Sequence, residues 1–264
     1  MKASIITLLT DFGTQDHYIA SMKGVILSIN SQCTLVDITH QVKPHNVKEG
    51  AYLLANAYSY FPKGSIHVAV VDPGVGSPRK PVLFETQHYF WVGPDNGLFT
   101  MVFQREKVKN AITLNNSKYF LPNVSSTFHG RDIFAPVAAH LSLGVNSKVF
   151  GDKIDTWTEF VFRKPKTEGG QLSGEIFYID SFGNLISNIH EYEFFLFIKD
   201  RPFMIRVGEK NIQCLKKGYW EGRKNEPLAL FGSSGFLEIS VREGNAQRRL
   251  KVKEEEPIIV QIGK

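Results

Sequence analysis

The 264-residue sequence predicts an α/β protein in two parts, an N-terminal α/β domain with a mainly parallel central sheet over residues 1–165 and a C-terminal antiparallel β-barrel domain over 170–264. Three observations carry this. The first 72 residues alternate strand and helix periodicity, the last 90 or so are strand-like almost throughout, and the stretch "FRKPKTEGGQLSG" (162–174) between them collects Pro165, Gly169, Gly170 and several charges, as a linker would.

Each element has a local reason. "SIITLLT" (4–10) is a short β-branched apolar run stopped by Asp-Phe-Gly, hence a buried strand. From Asp16 to Ile29 the apolar residues Ile19, Met22, Val25, Ile26 and Ile29 recur at helical spacing, with Asp16 placed to favour the positive helix end. "TLVDIT" (34–39) is the next strand. Residues 46–61 form a second helix, opened by Asn46 and Glu49 at capping-box spacing. "SIHVAVVD" (65–72) is a third strand, and such an alternation implies right-handed parallel crossovers. "VLFETQHYFWVG" and "LFTMVF" read as strands flanking the turn "PDNG" at 94–97, and a helix is expected from Gly130 to about Leu143. In the second part the strand-like runs are "GEIFYID", "PFMIRVG", "PLALFG", "GFLEISV", "RLKVK" and "PIIVQIG", with a turn near 191–198. The basic run "RRLKVK" (248–253) reads as the wet face of a barrel strand.

Composition excludes several classes. With 31 basic and 26 acidic residues dispersed along the chain, a net charge of +5 gives no nucleic-acid footprint. Cys33 and Cys214 have no zinc or disulfide spacing and read as reduced, buried residues. No run approaches a membrane span, and the apolar N-terminal run is too short for a signal sequence, so a cytoplasmic protein with no membrane and no nucleic-acid partner is expected.

Chemistry gathers in four segments. In parallel sheets ligands bind beyond the carboxyl ends of strands, where Asp11 and Asp72 stand, although an acid there can equally make a turn. The loop "VVDPGVGSPRKP" (70–81) returns Arg79 towards Asp72 but fits neither dinucleotide nor triphosphate loop patterns, and Arg79 alone could be a solvated cation. "STFHGRDIFAP" (126–136) offers His129, Arg131 and Asp132 before a helix, and His129 suits either packing or proton handling. "YIDSFGNLISNI" (178–189) ends a strand at Asp180, and its Phe182 and Asn184 could face a base or simply build a hairpin turn. Asp37, His40 and His45 lie near one another without a recognised metal spacing.

Taken with "LLTDFGTQDHYIASMKG", "HNVKEGAYLL", "GPDNGLFT" and "SSGFLEISV", these segments resemble, over essentially the whole length, the S-adenosylmethionine hydrolases (hydroxide adenosyltransferases), relatives of the fluorinase and chlorinase enzymes. The resemblance implies a homotrimer with each active site between the first domain of one subunit and the second domain of its neighbour. It implies a hydrolase triad at Asp72, Arg79 and His129. It places the ribose diol on Asp11, the methionine ammonium on Asp16 and Asp180, and the carboxylate end on Ser233 and Ser234. Adenine falls to Phe182, Asn184 and the backbone near Asn245 and Ala246. S-adenosylmethionine is the implied substrate, with no cofactor and no metal. Halogenases carry Tyr at the position of Asp72 and Ser at that of Gly130, and an insertion after "DPGVG" that this chain lacks, which points to water rather than halide as nucleophile. His45 replaces a halogenase Trp, and Gly232 stands where relatives often have Asn. The rival readings are adenosyl transfer to a halide and a non-catalytic S-adenosylmethionine or adenosine sensor.

Overall fold

The computed structural model describes residues 4–263, which divide into one compact unit up to Phe160 and a second from Val161 onward. The first unit starts with strand β1 (Ile5–Thr10), helix α1 (Tyr18–Ile29), strand β2 (Thr34–Thr39), helix α2 (Val47–Ala57) and strand β3 (Ile66–Val70). Strand β1 pairs in parallel with β2 on one side and β3 on the other, Thr10 lying opposite Val70. Helix α1 turns Met22 and Ile26 into the core but begins later than its periodicity predicted. Its first-turn flank is His17 without a side-chain cap bond, and Asp16 lies outside it, exposed. At α2 the Asn46 side chain accepts from Glu49 N at 3.1 Å, half of the expected capping box. Glu49 returns to the Asn46 amide rather than to its backbone.

Strands β4 (Pro81–Thr86) and β5 (Phe90–Pro94) form a hairpin, with β5 parallel to β3. The next segment corrects an expectation. "LFTMVF" is not a strand, because Thr100 donates through both its backbone N and its hydroxyl to Gly97 O and winds Thr100–Phe103 into the short helix α3. Leu98, Phe99, Met101 and Val102 are all buried there, so packing overrides their strand propensity. Strand β6 (Val108–Leu114), which the sequence reading passed over, adds antiparallel to β4. Helix α4 (Ala135–Ser142) follows a π-helical turn over Gly130–Phe134, and β7 (Gly151–Lys153) closes the edge. The sheet order is β2-β1-β3-β5-β4-β6-β7, a parallel half extended by an antiparallel one.

The second unit is an antiparallel sheet of eight strands. Of the expected linker 162–174, residues 162–165 carry no strand or helix, whereas 166–174 build a hairpin. Strand β8 (Lys166–Glu168) pairs with β9 (Gln171–Ile179) across a two-residue turn in which Gly169 and Gly170 take φ of 56° and 75°, the left-handed conformations such a turn requires. Strand β10 (Leu185–His190) leads into helix α5 (Glu191–Ile198), a full helix with a His190–Glu193 capping box where the sequence promised a turn. Strands β11 (Phe203–Val207), β12 (Lys210–Ile212), β13 (Pro227–Phe231) and β14 (Phe236–Val241) follow. The run "RRLKVK" also departs from expectation. The Asn245 side chain accepts from Arg248 N at 2.7 Å and starts helix α6 (Ala246–Leu250), so the arginines occupy a helical last turn instead of a strand. The final strand, β15 (Pro257–Ile262), gives the order β12-β11-β15-β9-β10-β14-β13. A bridge between Leu215, just past β12, and Ala229 in β13 brings the two ends together as a nearly closed barrel. Both cysteines are free, but only Cys33 is partly buried. Cys214 is exposed, because it lies on the connection beyond β12.

One buried group predicts acid lability. His67, on β3, has no solvent exposure, stacks on Trp91 at 4.6 Å and contacts the Thr7 hydroxyl through Nδ1 at 2.7 Å, while its Nε2 has no partner among the described residues. Burial pushes its pKa down to about 3. The folded state therefore resists a proton that the unfolded chain accepts near its ordinary value, so the stabilising contribution is full above pH 6.5 and is lost as pH falls towards 3. Between pH 7 and pH 5 this costs about 2 kcal/mol. A His67→Gln variant, which cannot be protonated, is expected to show a shallower fall in Tm over that range. Parallel Tm–pH curves would refute the assignment.

Candidate active site

Asp72 leaves β3 two residues after its end, and Asp11 leaves the neighbouring β1 directly, so both acids stand at the same carboxyl edge of the sheet. The loop after Asp72 is tightly turned, with Val75 N bonding Asp72 O and Ser77 N bonding Gly74 O. Gly76 is required in it. Its φ is 76°, and a Cβ would sit 2.3 Å from Ser126 O, so this loop packs backbone to backbone on the 125–129 segment. The return brings Arg79 onto Asp72 as a bidentate pair, Nε donating to Oδ1 at 2.9 Å and Nη2 to Oδ2. The same Nη2 lies 2.9 Å from His129 Nδ1. The three residues chosen from separate segments thus form one connected cluster.

The cluster is largely closed to water, the side chains of Asp72 and Arg79 being 4% and 9% exposed. A guanidinium can only donate, so His129 Nδ1 is the acceptor, and the neutral ring carries its proton on Nε2. Burial lowers the His129 pKa and the Arg79 charge lowers it further, against a partial opposing pull from Asp72 and Asp132. The guanidinium lies 5.5 Å from the Phe134 ring centre. Its Nη1 is buried and, among the described residues, has no partner, which leaves a charged donor for a ligand atom.

Arg131 and Asp132 prove to be scaffold. Buried Asp132 accepts from Arg131 Nε at 2.6 Å and from Ser125 N at 2.8 Å, fixing the segment that presents His129. Around Gly130, a Cβ would meet Met22 Sδ at 3.2 Å and Phe128 Cε2 at 3.3 Å, so a larger residue there must displace its neighbours.

The turn carrying Asp11 is held by His40. Gly13, at φ 67°, donates to His40 O at 2.7 Å, and His40 Nδ1 lies 3.0 Å from Thr10 Oγ1, which also accepts from Phe12 N. His40 Nε2 is 3.1 Å from Asp37 Oδ1, and Asp37 pairs with Lys23 at 2.6 Å. Asp37 and His40 thus serve this support, while His45 uses its backbone N to donate to Asp11 Oδ2 at 2.8 Å. Among the described residues no three His, Cys, Asp or Glu side chains converge to hold a metal ion.

In the second unit, Asp180 accepts from Phe182 N, Asn184 N and Asn184 Nδ2 at 2.8–3.0 Å, so its carboxylate builds the Phe-Gly-Asn turn. The turn buries Asn184 and leaves the Phe182 ring 74% exposed. Gly183 O accepts from Gln247 N, and the Asn245 amide lies over Gly183, where any Cβ would clash. Asn245 and buried Ala246 are therefore packed beside Asp180, Phe182 and Asn184. Ser233 and Ser234 sit in the separate turn between β13 and β14. Glu238, which is not among the sequence-predicted site residues, lies beside that turn. It is buried, accepts from Tyr219 OH at 2.8 Å and Ser240 Oγ at 2.6 Å, and its Oε2 lies 2.5 Å from where a Cβ on Gly232 would be. A side chain at 232 would have to move that carboxylate. Burial and the Glu238 bond raise the Tyr219 pKa, so the phenol stays a donor. The available signal was Glu238 and Ser240 alternating within an apolar strand.

Residues 6–151 match the SAM hydroxide adenosyltransferase N-terminal domain and residues 174–259 the C-terminal domain of the same name. The chain belongs to the SAM hydroxide adenosyltransferase family. Among relatives, it is 41% identical over 259 residues to the (R)-S-adenosyl-L-methionine hydrolase of Methanocaldococcus jannaschii, an alignment covering 94% of this chain and 92% of that one. The protein of the same name from Thermus thermophilus is 34% identical over 96% of this chain and 98% of its own length. A fluorinase from Actinoplanes is more distant, at 31% over 70% of this chain and 72% of that protein. An uncharacterized conserved protein from Thermotoga maritima, known by crystal structure, superposes with a TM-score of 0.90 at 37% identity, covering 97% of this chain and 99% of that one. Within this adenosyltransferase family, the Asp72–Arg79–His129 cluster is where the chain's buried charge and an unpartnered buried donor coincide among the described residues.

Proposed function

We propose that the protein hydrolyses S-adenosyl-L-methionine to adenosine and L-methionine. The observation that carries this reading is the buried Asp72–Arg79–His129 cluster with its unpartnered Nη1, in a chain whose nearly full-length relatives bear the name of that hydrolase. The water oxygen bonds to the 5′ carbon as the bond from that carbon to sulfur breaks, and the electron pair goes to the sulfonium. Methionine leaves as a neutral thioether and needs no general acid. The task is to place water and take its proton. In-line placement contributes several kcal/mol, with roughly 7–11 as the ceiling. Base action towards the water is shared across Asp72 and His129, Arg79 keeps the Asp72 carboxylate ionised, and its Nη1 donates to the oxygen as it gains hydroxide character.

Substrate binding in this proposal falls to Asp11 for the ribose diol, Asp16 and Asp180 for the ammonium, and Ser233 and Ser234 for the carboxylate end. Phe182, Asn184 and the backbone at Asn245 and Ala246 take the adenine. The assembly is a homotrimer that pairs the first unit of one subunit with the second of its neighbour, working in the cytoplasm without a cofactor, a membrane or a nucleic-acid partner. Among the described residues no helix is long and apolar enough to cross a membrane. Gly130 supplies no hydroxyl for a halide, which supports water as nucleophile.

Incubation in oxygen-18 water, with the two sulfonium epimers assayed separately, tests the reading. Adenosine labelled in its 5′ hydroxyl is the expected product. Unchanged substrate with a raised Tm would replace the enzyme by a sensor, and a 5′-halogenated product with added halide would replace water by halide.

A further inference from the structure

The "GPDNGLFT" segment contributes none of the site residues above, yet its turn is bonded to both ends of the loop that carries Asp72 and Arg79. Asn96 Nδ2 donates to Val71 O at 2.8 Å, the carbonyl immediately before Asp72. Asp95 N donates to Lys80 O at 2.9 Å, the carbonyl immediately after Arg79. We infer that Asn96 is a positioning residue of the reaction, with the 94–97 turn acting as a clamp that holds the Asp72–Arg79 loop at its entry and exit.

The clamp is itself rigidly mounted. Asn96 Oδ1 accepts from Leu98 N at 3.2 Å, Asp95 Oδ1 accepts from Thr158 N at 2.7 Å, and Thr100 Oγ1 donates to Gly97 O at 2.7 Å. Just before the turn, β5 approaches β3 so closely that a Cβ on Gly93 would stand 2.3 Å from Ala69 O. The turn is therefore fixed to the strand from which Asp72 emerges. On its other side the loop meets the 125–129 backbone at Gly76, so it is seated between two fixed segments. Asn96 is the member of the clamp whose side chain can be changed without touching the acids, the guanidinium or the imidazole. Oxygen attack at carbon is sensitive to placement, a 1 Å error costing on the order of 100-fold, so a loosened loop slows chemistry more than it weakens binding.

Asn96→Asp keeps the acceptor for Leu98 N, loses the donor to Val71 O and sets a carboxylate oxygen against that carbonyl. Its kcat for S-adenosylmethionine is expected to fall at least about 10-fold with KM within about 2-fold of wild type. A second reading needs no substrate. Burial and then the Arg79 charge, set 2.9 Å from Nδ1, hold the His129 pKa down against a smaller opposing pull from Asp72, so a displaced loop lets the His129 titration, followed by NMR, move up towards its ordinary value. Asn96→Ser, which adds no charge, is carried through both measurements, so that a His129 shift common to the two variants reports the loop and not the new carboxylate. A folded variant with wild-type kcat and an unmoved His129 titration overturns the clamp, as does a loss expressed in KM alone. The kinetic half rests on the proposed hydrolysis. A wild-type protein that turns over no S-adenosylmethionine sinks that reading, while the histidine titration still decides the clamp.

Discussion

Asp72→Asn is expected to lower the turnover of S-adenosylmethionine by roughly 100- to 10,000-fold, the range that one positioned general base contributes. The substitution keeps the shape and an oxygen for Arg79 Nε, now 2.9 Å from Oδ1, but it removes the charge that shares in taking the proton and puts an amide donor against Nη2. It also leaves the guanidinium buried without its counter-ion, so a stability loss of about 3–5 kcal/mol is expected alongside. The two effects separate by measurement. Circular dichroism and Tm identify a temperature at which the variant is folded, and kcat is then compared there. A folded Asp72→Asn with turnover within a few-fold of wild type would remove Asp72 from the chemistry and leave the pair as scaffold. The pH profile adds a constraint. The guanidinium bond needs neutral His129, whose pKa lies below its ordinary value, so kcat/KM is expected to hold down to pH 6.5 and to fall only below it.

How much of this was legible in the sequence depends on the distance over which each feature is determined. Strand β2 was read at its true limits because six residues of β-branched and apolar pattern, ended by turn chemistry, decide it locally. Asp72 and Arg79 were legible for a related reason. A strand end and a loop seven residues long confine them to one another's neighbourhood. His129 lies 50 residues from Arg79 in the chain, and only the family resemblance joined it to them. The errors fall where a few hydrogen bonds override propensity. The Thr100–Gly97 contacts turn an apolar, strand-like run into α3, and the Asn245 cap makes a helix of Arg248 and Arg249. Within 162–174, Gly169-Gly170 marks a linker and a hairpin turn equally well, and only the pairing of 166–168 with β9 distinguishes them. The Asn96 clamp joins residues 25 positions apart without a periodic signal, and the alternation that marks Glu238 does not reveal Tyr219, 19 positions away, as its partner.

Asp11→Asn is expected to raise KM for S-adenosylmethionine about 10- to 100-fold, with a smaller effect on kcat. In the structure the Asp11 carboxylate accepts one backbone donor, His45 N on Oδ2, and a carboxylate has further lone pairs for a diol. Hydrogen bonds to a charged acceptor contribute about 1.5–3 kcal/mol each, which sets the magnitude. The competing explanation is structural. His45 takes a φ of 67°, an uncommon conformation for a residue with a side chain, and Asp11 could exist only to hold it. Asparagine separates the two, because its Oδ1 can still accept from His45 N while the charge offered to the ribose is gone. If Asp11 binds ribose, Asp11→Asn keeps its Tm and loses affinity for adenosine as well as for the intact substrate, since both carry the same diol. If Asp11 is only an anchor, adenosine affinity is unchanged in Asp11→Asn, and Asp11→Ala shows its defect in Tm. Calorimetric titration of adenosine into both variants decides between them, and binding at wild-type strength would return Asp11 to the role of a turn residue.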